Sequence, residues 1–303
     1  MVIKIGTDCS GIEAPIQALK QLKVSYSHEW SCEIDKFAIE SILENYDPKI
    51  FFADMTMKRS LPKVDVYVCG FPCQSFSMAG NRVGMKEERG IIFFHCLDAI
   101  RQSKPKVFIL ENVKGLLSAN NGKAFEIIMS KLKGLRQYNV YYKVLNTKDY
   151  GIPQNRERIF FLGIHKKYQK SEFEWPRPCK MKDIRSYIDK TANYREDIFD
   201  CKKDIIKNHK GIFIDVCMIR KNTSSNKKYI NQTYSPTLMA RGYLWCVPMH
   251  RYATIKEKLS LQGFPKNFKQ VVSNNQMSKQ IGNSMSVNVL KCLFKSIFKH
   301  VDL

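Results

Sequence analysis

Cys73 has the setting of a reactive residue. The apolar run Val64-Asp65-Val66-Tyr67-Val68-Cys69 gives way to Gly70-Phe71-Pro72-Cys73-Gln74-Ser75-Phe76-Ser77. This reads as a buried strand that delivers a cysteine to a loop. Glycine and proline end the strand and fix its exit angle, and the polar stretch Met78-Ala79-Gly80-Asn81-Arg82-Val83-Gly84 follows. A thiol delivered in this way stands at the carboxyl edge of a parallel sheet, where open α/β folds put their chemistry, and is presented as a nucleophile. A Pro-Cys pair alone carries little weight, because free cysteine is usually a small buried apolar side chain. The company it keeps carries more. Val107-Phe108-Ile109-Leu110 ends in Glu111-Asn112-Val113, and a third segment reads Gln154-Asn155-Arg156-Glu157-Arg158-Ile159-Phe160-Phe161.

These segments need a scaffold, and the first half of the chain supplies alternating signals for one. Val2 to Thr7 is a short strand, Ala14 to Leu22 an apolar helix, Tyr26 to Cys32 a second strand and Asp35 to Asn45 a helix, with Asp35 as its N-cap. Strands follow near 65–69, 107–111, 140–145 and 158–164, and helices near 91–103 and 122–133. Such alternation implies an α/β fold with a mostly parallel, doubly wound sheet. After Trp175-Pro176-Arg177-Pro178 the texture turns to mixed charge, asparagine and serine, which marks a domain boundary. A last helix, about Val287 to His300, has the apolar spacing to dock on the first domain.

Composition and charge narrow the class. With 303 residues, 44% of them hydrophobic, the chain can bury a large core and a smaller one. No window approaches the ~18 uncharged apolar residues of a membrane span, and Met1-Val2-Ile3-Lys4-Ile5 runs straight into a strand, so a soluble intracellular protein without signal peptide is expected. None of the ten cysteines form a Cys-x-x-Cys pair, so no metal is expected and the thiols should be reduced. The net charge of +22 points to a polyanionic partner. Residues 1–165 hold 23 basic and 17 acidic side chains, residues 166–250 hold 18 and 9, and residues 251–303 hold 9 and 2. The excess is therefore concentrated late in the chain.

The three segments, in their order, resemble the DNA (cytosine-5)-methyltransferases, most closely the compact single-chain enzymes of restriction–modification systems and viruses. The resemblance runs from Gly6 to about Val289, apart from roughly residues 170–235. It implies a Rossmann-like S-adenosylmethionine-dependent methyltransferase domain with a smaller target-recognition domain. The chain then divides into a catalytic and cofactor-binding part (1–169), a target-recognition domain (170–250) and a return segment (251–303). By the same resemblance Cys73 adds to carbon 6 of cytosine, Glu111 serves ring nitrogen 3 and the exocyclic amine, and Arg158 contacts the carbonyl. Arg156 and Asn112 support them. The cytosine must leave the duplex to be reached, and the segment from Ser75 to about Arg89 looks like the loop that closes on it; its plain alternative is an ordinary surface loop.

The cofactor site implied by the resemblance begins at Asp8-Cys9-Ser10-Gly11-Ile12, between a strand and a helix N-terminus. Here the family's usual phenylalanine is Cys9, and two usual glycines are Glu13 and Ala14. Glu33 matches the acid that accepts the ribose hydroxyls, Ile34 the residue against the adenine, and Asp54 the acceptor of its amino group. Met55, Pro72, Asn283 and Ser284 complete the set, the last two in the final motif Gln280-Ile281-Gly282-Asn283-Ser284-Met285-Ser286-Val287. Candidate DNA contacts are Ser77, Ala79, Gly80 and Arg82 in the loop, and Thr237, Arg241 and Tyr243 around Ser235-Pro236-Thr237-Leu238; each of these has a structural reading too. The expected substrate is double-stranded DNA at a specific sequence, the co-product S-adenosylhomocysteine, the state monomeric, and a restriction endonuclease of the same site a possible companion. Two alternatives stand beside this: the same chemistry on tRNA, or a DNA-binding homologue that has lost catalysis.

Overall fold

The computed structural model describes residues 2–57, 59–72, 91–192, 194, 211–216, 230–231 and 233–303. The chain divides into two compact units, one of residues 1–145, 157–176 and 290–303 and the other of residues 146–156 and 177–289. The division differs from the one expected at 169/170 and 250/251. Residues 146–156 go with the second unit because Gln154 and Asn155 are tied into it. The Gln154 amide donates to the Leu261 carbonyl at 2.8 Å, and the Asn155 N–H to the Ser235 carbonyl at 2.8 Å. Of the return segment, 290–303 belong to the first unit.

In the first unit, β1 (Ile3–Asp8), α1 (Ala14–Leu22), β2 (Tyr26–Cys32), α2 (Lys36–Asn45), β3 (Ile50–Phe52), β4 (Val66–Cys69), α3 (Ile91–Ser103), β5 (Val107–Val113), α4 (Lys123–Lys133), β6 (Tyr138–Asn146) and β7 (Glu157–His165) succeed one another. Among the described residues the strands form one sheet in the order β3-β2-β1-β4-β5-β7-β6. β1 pairs in parallel with both β2 and β4, so the strand order reverses beside β1. Ligands of open α/β sheets bind at such a reversal, beyond the carboxyl ends of the strands. β7 runs antiparallel to its neighbour β5. This is the mostly parallel, Rossmann-like α/β fold that the strand–helix alternation implied.

The central strands explain their own sequences. Val66 to Cys69 and Val107 to Leu110 are buried on both faces, which is why each reads as an unbroken apolar run rather than an alternating one. α2 starts at Asp35, whose carboxylate accepts the Phe37 N–H at 3.0 Å. α4 buries Ala124, Ile128, Met129 and Leu132, a single helical stripe. Gly6 in β1 is dictated by packing: a Cβ there would meet the Trp30 ring at 2.4 Å. That bare backbone lets the indole lie across β1.

The second unit carries a small sheet, β11-β10-β8-β9, of β8 (Phe213–Asp215), β9 (Ile230–Asn231), β10 (Leu244–Cys246) and β11 (Arg251–Tyr252), with α5 (Ile255–Gln262) and α6 (Asn274–Asn283). α7 (Val287–His300) ends the chain with Val287, Leu290, Leu293, Phe294 and Ile297 buried. Arg251 and Glu257 form a bidentate pair at 2.9 and 2.8 Å with both side chains fully buried. Arg251 also donates to the Asp189 and Ala192 carbonyls, while Glu257 accepts the Thr254 and Asp189 N–H groups and completes a capping box for α5. Breaking such a pair strands a buried charge. Glu257→Leu is therefore expected to cost about 3–5 kcal/mol in urea unfolding, and Arg251→Met with Glu257→Leu less than the sum of the two. A cost below about 1 kcal/mol, typical of an exposed pair, would show that the pair does not hold the unit together. Among the described residues no helix is long and apolar enough to cross a membrane, and no cluster of three potential ligands is arranged to hold a metal ion.

Candidate active site

Two strand ends bring an acid and a base together in the first unit. Register sets Glu111 opposite Phe160 and Val113 opposite Arg158. Because side chains alternate across a sheet, Glu111 and Arg158 share a face as diagonal neighbours. Arg158 Nε lies 3.2 Å from Glu111 Oε1, with Glu111 only 8% exposed. Asn112, one residue on, points the other way. Its amide donates to the Phe71 carbonyl at 2.9 Å, two residues before Cys73. Asn112 is thus a brace for the strand exit that carries the cysteine. Cys73 itself, with Ser77, Ala79, Gly80 and Arg82, lies outside the described residues.

Arg156 is engaged by backbone carbonyls. It sits in the second unit, 2% exposed, and donates to the carbonyls of Leu238, Gly282 and Ser284 at 2.8, 3.0 and 2.8 Å. A guanidinium committed to three backbone carbonyls organises the chain around it. It is a tie between these segments of the second unit.

Beside the strand reversal, the first unit has an open cavity of about 570 Å³ lined by Cys9, Cys32, Glu33, Ile34, Asp54, Met55, Thr56, Pro72, Ile92 and His95. Six of these were expected from the sequence: Cys9, Glu33, Ile34, Asp54, Met55 and Pro72. Glu33 stands where β2 ends. One carboxylate oxygen accepts the Gly11 N–H at 2.8 Å and the other accepts those of Ile34 and Asp35 at 3.0 Å. Burial pushes the Glu33 carboxyl up, against the pull of these N–H donors. Asp54 is different: the Thr56 N–H at 2.8 Å, together with the Thr56 hydroxyl, holds its carboxyl below the ordinary value. Ile34 is 75% exposed at the cavity, an apolar surface offered to a flat ring.

The remaining cofactor candidates sit differently. Ser10 and Gly11 build the turn, Ser10 through its hydroxyl to the Cys32 carbonyl at 3.1 Å and Gly11 through φ of 59°. Ile12 is core. Asp8 does not line the cavity; its carboxylate is taken by Arg59, Trp30 and Tyr67. Asn283 and Ser284 belong to the second unit, where Asn283 is exposed and the Ser284 hydroxyl donates to the Met285 carbonyl at 3.0 Å. Cys32, Thr56, Ile92 and His95 were missed. Ile92 and His95 are three apart on α3, so a helical face turned to the cavity was the available signal.

In the second unit Thr237 is tied down, its hydroxyl donating to the Asn155 carbonyl at 2.5 Å. Arg241 is exposed, and Tyr243 is half-exposed with its ring 5.9 Å from that of Tyr252. The first is a local tie; the other two are free to reach a partner.

Comparison with known proteins identifies the family. Residues 8–299 match the family model for C-5 cytosine-specific DNA methylases. The type II methyltransferase M.HaeII of Haemophilus aegyptius is 35% identical over 92% of this chain and 86% of its own length. M.SsoII of Shigella sonnei, another type II methyltransferase, is 33% identical over 93% of this chain and 75% of its own. In structure, the Dnmt2 methyltransferase of S. pombe superimposes with a TM-score of 0.68 over 98% of both chains at 18% identity, a likeness of fold.

Proposed function

This chain belongs to the C-5 cytosine-specific DNA methylase family and is a DNA cytosine-5 methyltransferase, and from that premise we propose how its own residues do the work. S-adenosylmethionine, which the family implies, supplies an electrophilic methyl group. The cavity suits it in size and in chemistry: Glu33 offers carboxylate oxygens to hydroxyl donors, Ile34, Met55 and Ile92 offer apolar surface, and Asp54 offers an acceptor for an amino group.

Carbon 5 of cytosine is a poor nucleophile. Addition of the Cys73 thiolate to carbon 6 removes the ring's aromaticity and makes carbon 5 an enamine carbon. Charge that builds on the ring is met at nitrogen 3 by Glu111, which also accepts from the exocyclic amine, and Arg158 donates to the ring carbonyl. After methylation, loss of the carbon 5 proton to water expels the thiolate. The observation that carries this reading is the conjunction around one chain turn. Pro72 lines the cavity, Phe71 is held by Asn112, and β4, which leads to both, pairs with the strand that carries Glu111; Cys73 is the next residue in the sequence.

A stacked cytosine cannot meet these groups, so the base is flipped from duplex DNA. Arg241 and Tyr243 in the second unit are the recognition contacts, and the surplus of basic residues after 165 meets phosphate. A monomeric protein, with a restriction endonuclease of the same site as its companion, completes the proposal.

The test is incubation of unmethylated plasmid with the purified protein and S-adenosylmethionine, read by nucleoside mass spectrometry and base-resolution sequencing. The expected product is 5-methylcytosine at one short repeated sequence. Methylation scattered without a sequence would remove the recognition role of the second unit, and no 5-methylcytosine at all would overturn the reading.

A further inference from the structure

Asp8 closes β1 at the point where the cofactor turn begins, and it is 1% exposed. Among the described residues its two oxygens receive two donors each. Arg59 Nη1 at 2.7 Å and Trp30 Nε1 at 3.1 Å reach Oδ1, and Arg59 Nη2 at 2.5 Å and the Tyr67 hydroxyl at 2.8 Å reach Oδ2. A carboxylate has about four lone-pair sites, so this one is filled. It has no capacity left for the amino group of a ligand, and its purpose lies in Arg59.

Arg59 comes from the segment between β3 and β4, five residues after Asp54. Its side chain is 6% exposed, and its guanidinium lies 5.4 Å from the centre of the Phe52 ring. Burial opposes its charge, but the hydrogen bonds and charge of Asp8 outweigh that and raise its pKa further. The same segment bears Asp54, Met55 and Thr56, one wall of the cavity, whereas Cys9, next to Asp8, belongs to the other. Among the described residues of 53–65 none belongs to a helix or strand. A short Asp54–Thr56 turn shapes the wall locally, and the Cys9 thiol lies 3.7 Å from the Met55 sulfur. The bidentate pair is the strong, directional link between the two sides.

We propose that Arg59 is a positioning residue: by gripping Asp8 it fixes the Asp54–Thr56 wall against the turn after β1 and so sets the width of the cofactor cavity. The inference rests on the reading that this cavity holds S-adenosylmethionine. Lysine, a point charge, cannot reproduce the fork, and an apolar side chain leaves Asp8 buried without its cation.

The test measures S-adenosylmethionine binding by calorimetry and steady-state kinetics for Arg59→Met, Arg59→Lys and Asp54→Ala, with folding checked by circular dichroism. Arg59→Met is expected to weaken S-adenosylmethionine by up to about 100-fold, the scale of an ångström-sized misplacement. Its kcat at saturating cofactor and its KM for DNA should stay as in the parent, and Arg59→Lys should recover part of the affinity. If Arg59→Met does not fold, Asp8→Asn with Arg59→Gln removes both buried charges and is read in its place, with the same loss expected. Unchanged affinity in the folded variant, with Asp54→Ala weakened, would overturn the clamp and leave the cavity reading standing. Unchanged affinity in Asp54→Ala as well would overturn the cavity reading and the clamp with it. An equal fall in kcat, cofactor affinity and DNA affinity would reduce Arg59 to general support and also overturn the proposal.

Discussion

Cys73→Ser should abolish DNA methylation while leaving S-adenosylmethionine and DNA binding intact. The hydroxyl is nearly the size of the thiol but is scarcely ionised at neutral pH, and carbon 6 of cytosine needs an anionic nucleophile. Among the described cysteines, four have thiols held neutral. Burial pushes the pKa of Cys32 and Cys69 far up. Cys69 lies close enough to favour ionisation of Cys9, but burial and nearby carboxylates outweigh it and the Cys9 thiol is raised too. In the second unit Cys246 is pushed up to about 12 by burial. Those four side chains are held neutral, and Cys73 is the cysteine proposed as nucleophile. The assay is methyl transfer from labelled S-adenosylmethionine, paired with denaturing electrophoresis on DNA carrying 5-fluorocytosine. Fluorine does not leave as a proton does, so the parent should be trapped as a covalent adduct and Cys73→Ser should not. Methylation by the serine variant at the parent rate would remove Cys73 from the mechanism.

How much of this was legible beforehand depended on what kind of signal each residue leaves. Runs such as Val66 to Cys69 and Val107 to Leu110 are visible because a strand buried on both faces must be apolar throughout. β3 was not seen, since Ile50–Phe52 is three residues long and carries no period. Cavity residues at strand ends could be named, but His95 and Arg59 could not, because their roles exist only once α3 and the segment after β3 are folded against β1. The backbone contacts of Arg156 were hidden for the same reason. Two residues from Arg158 in sequence, it belongs to a different unit, where its guanidinium answers carbonyls from Leu238 and from the end of α6.

Glu13 shows how a departure from the family pattern is absorbed. It stands where the family has glycine and adopts that residue's left-handed backbone, φ 56°. Strain of this kind persists only when the surroundings over-determine it. Here the buried carboxylate accepts the hydroxyls of Thr7 and Ser31, both at 2.6 Å, with His28 Nε2 at 3.4 Å. Thr7 and Ser31 lie on the adjacent strands β1 and β2, so the network behind the turn replaces the freedom that glycine would have supplied. A sequence gives the substitution; only the fold gives its compensation.

Glu111→Gln should lower kcat by about 10²–10⁴-fold, the usual worth of a positioned acid or base, with S-adenosylmethionine affinity retained. The amide keeps the shape and one acceptor, so the side chain still fits beneath Arg158. What it loses is the ability to carry a proton to ring nitrogen 3 as the thiolate adds. Arg158 then faces an amide in place of its carboxylate 3.2 Å away, and its positive charge remains to stabilise the ring carbonyl. Addition is therefore slowed rather than stopped, which separates this variant from Cys73→Ser. The diagnostic is exchange of the cytosine carbon 5 proton with solvent, which reports addition without methyl transfer. If the acid assists addition, exchange and methylation should fall together in Glu111→Gln. A variant that exchanges at the parent rate yet methylates slowly would move the role of Glu111 from addition to a later step. An unaffected methylation rate would take it out of the mechanism altogether.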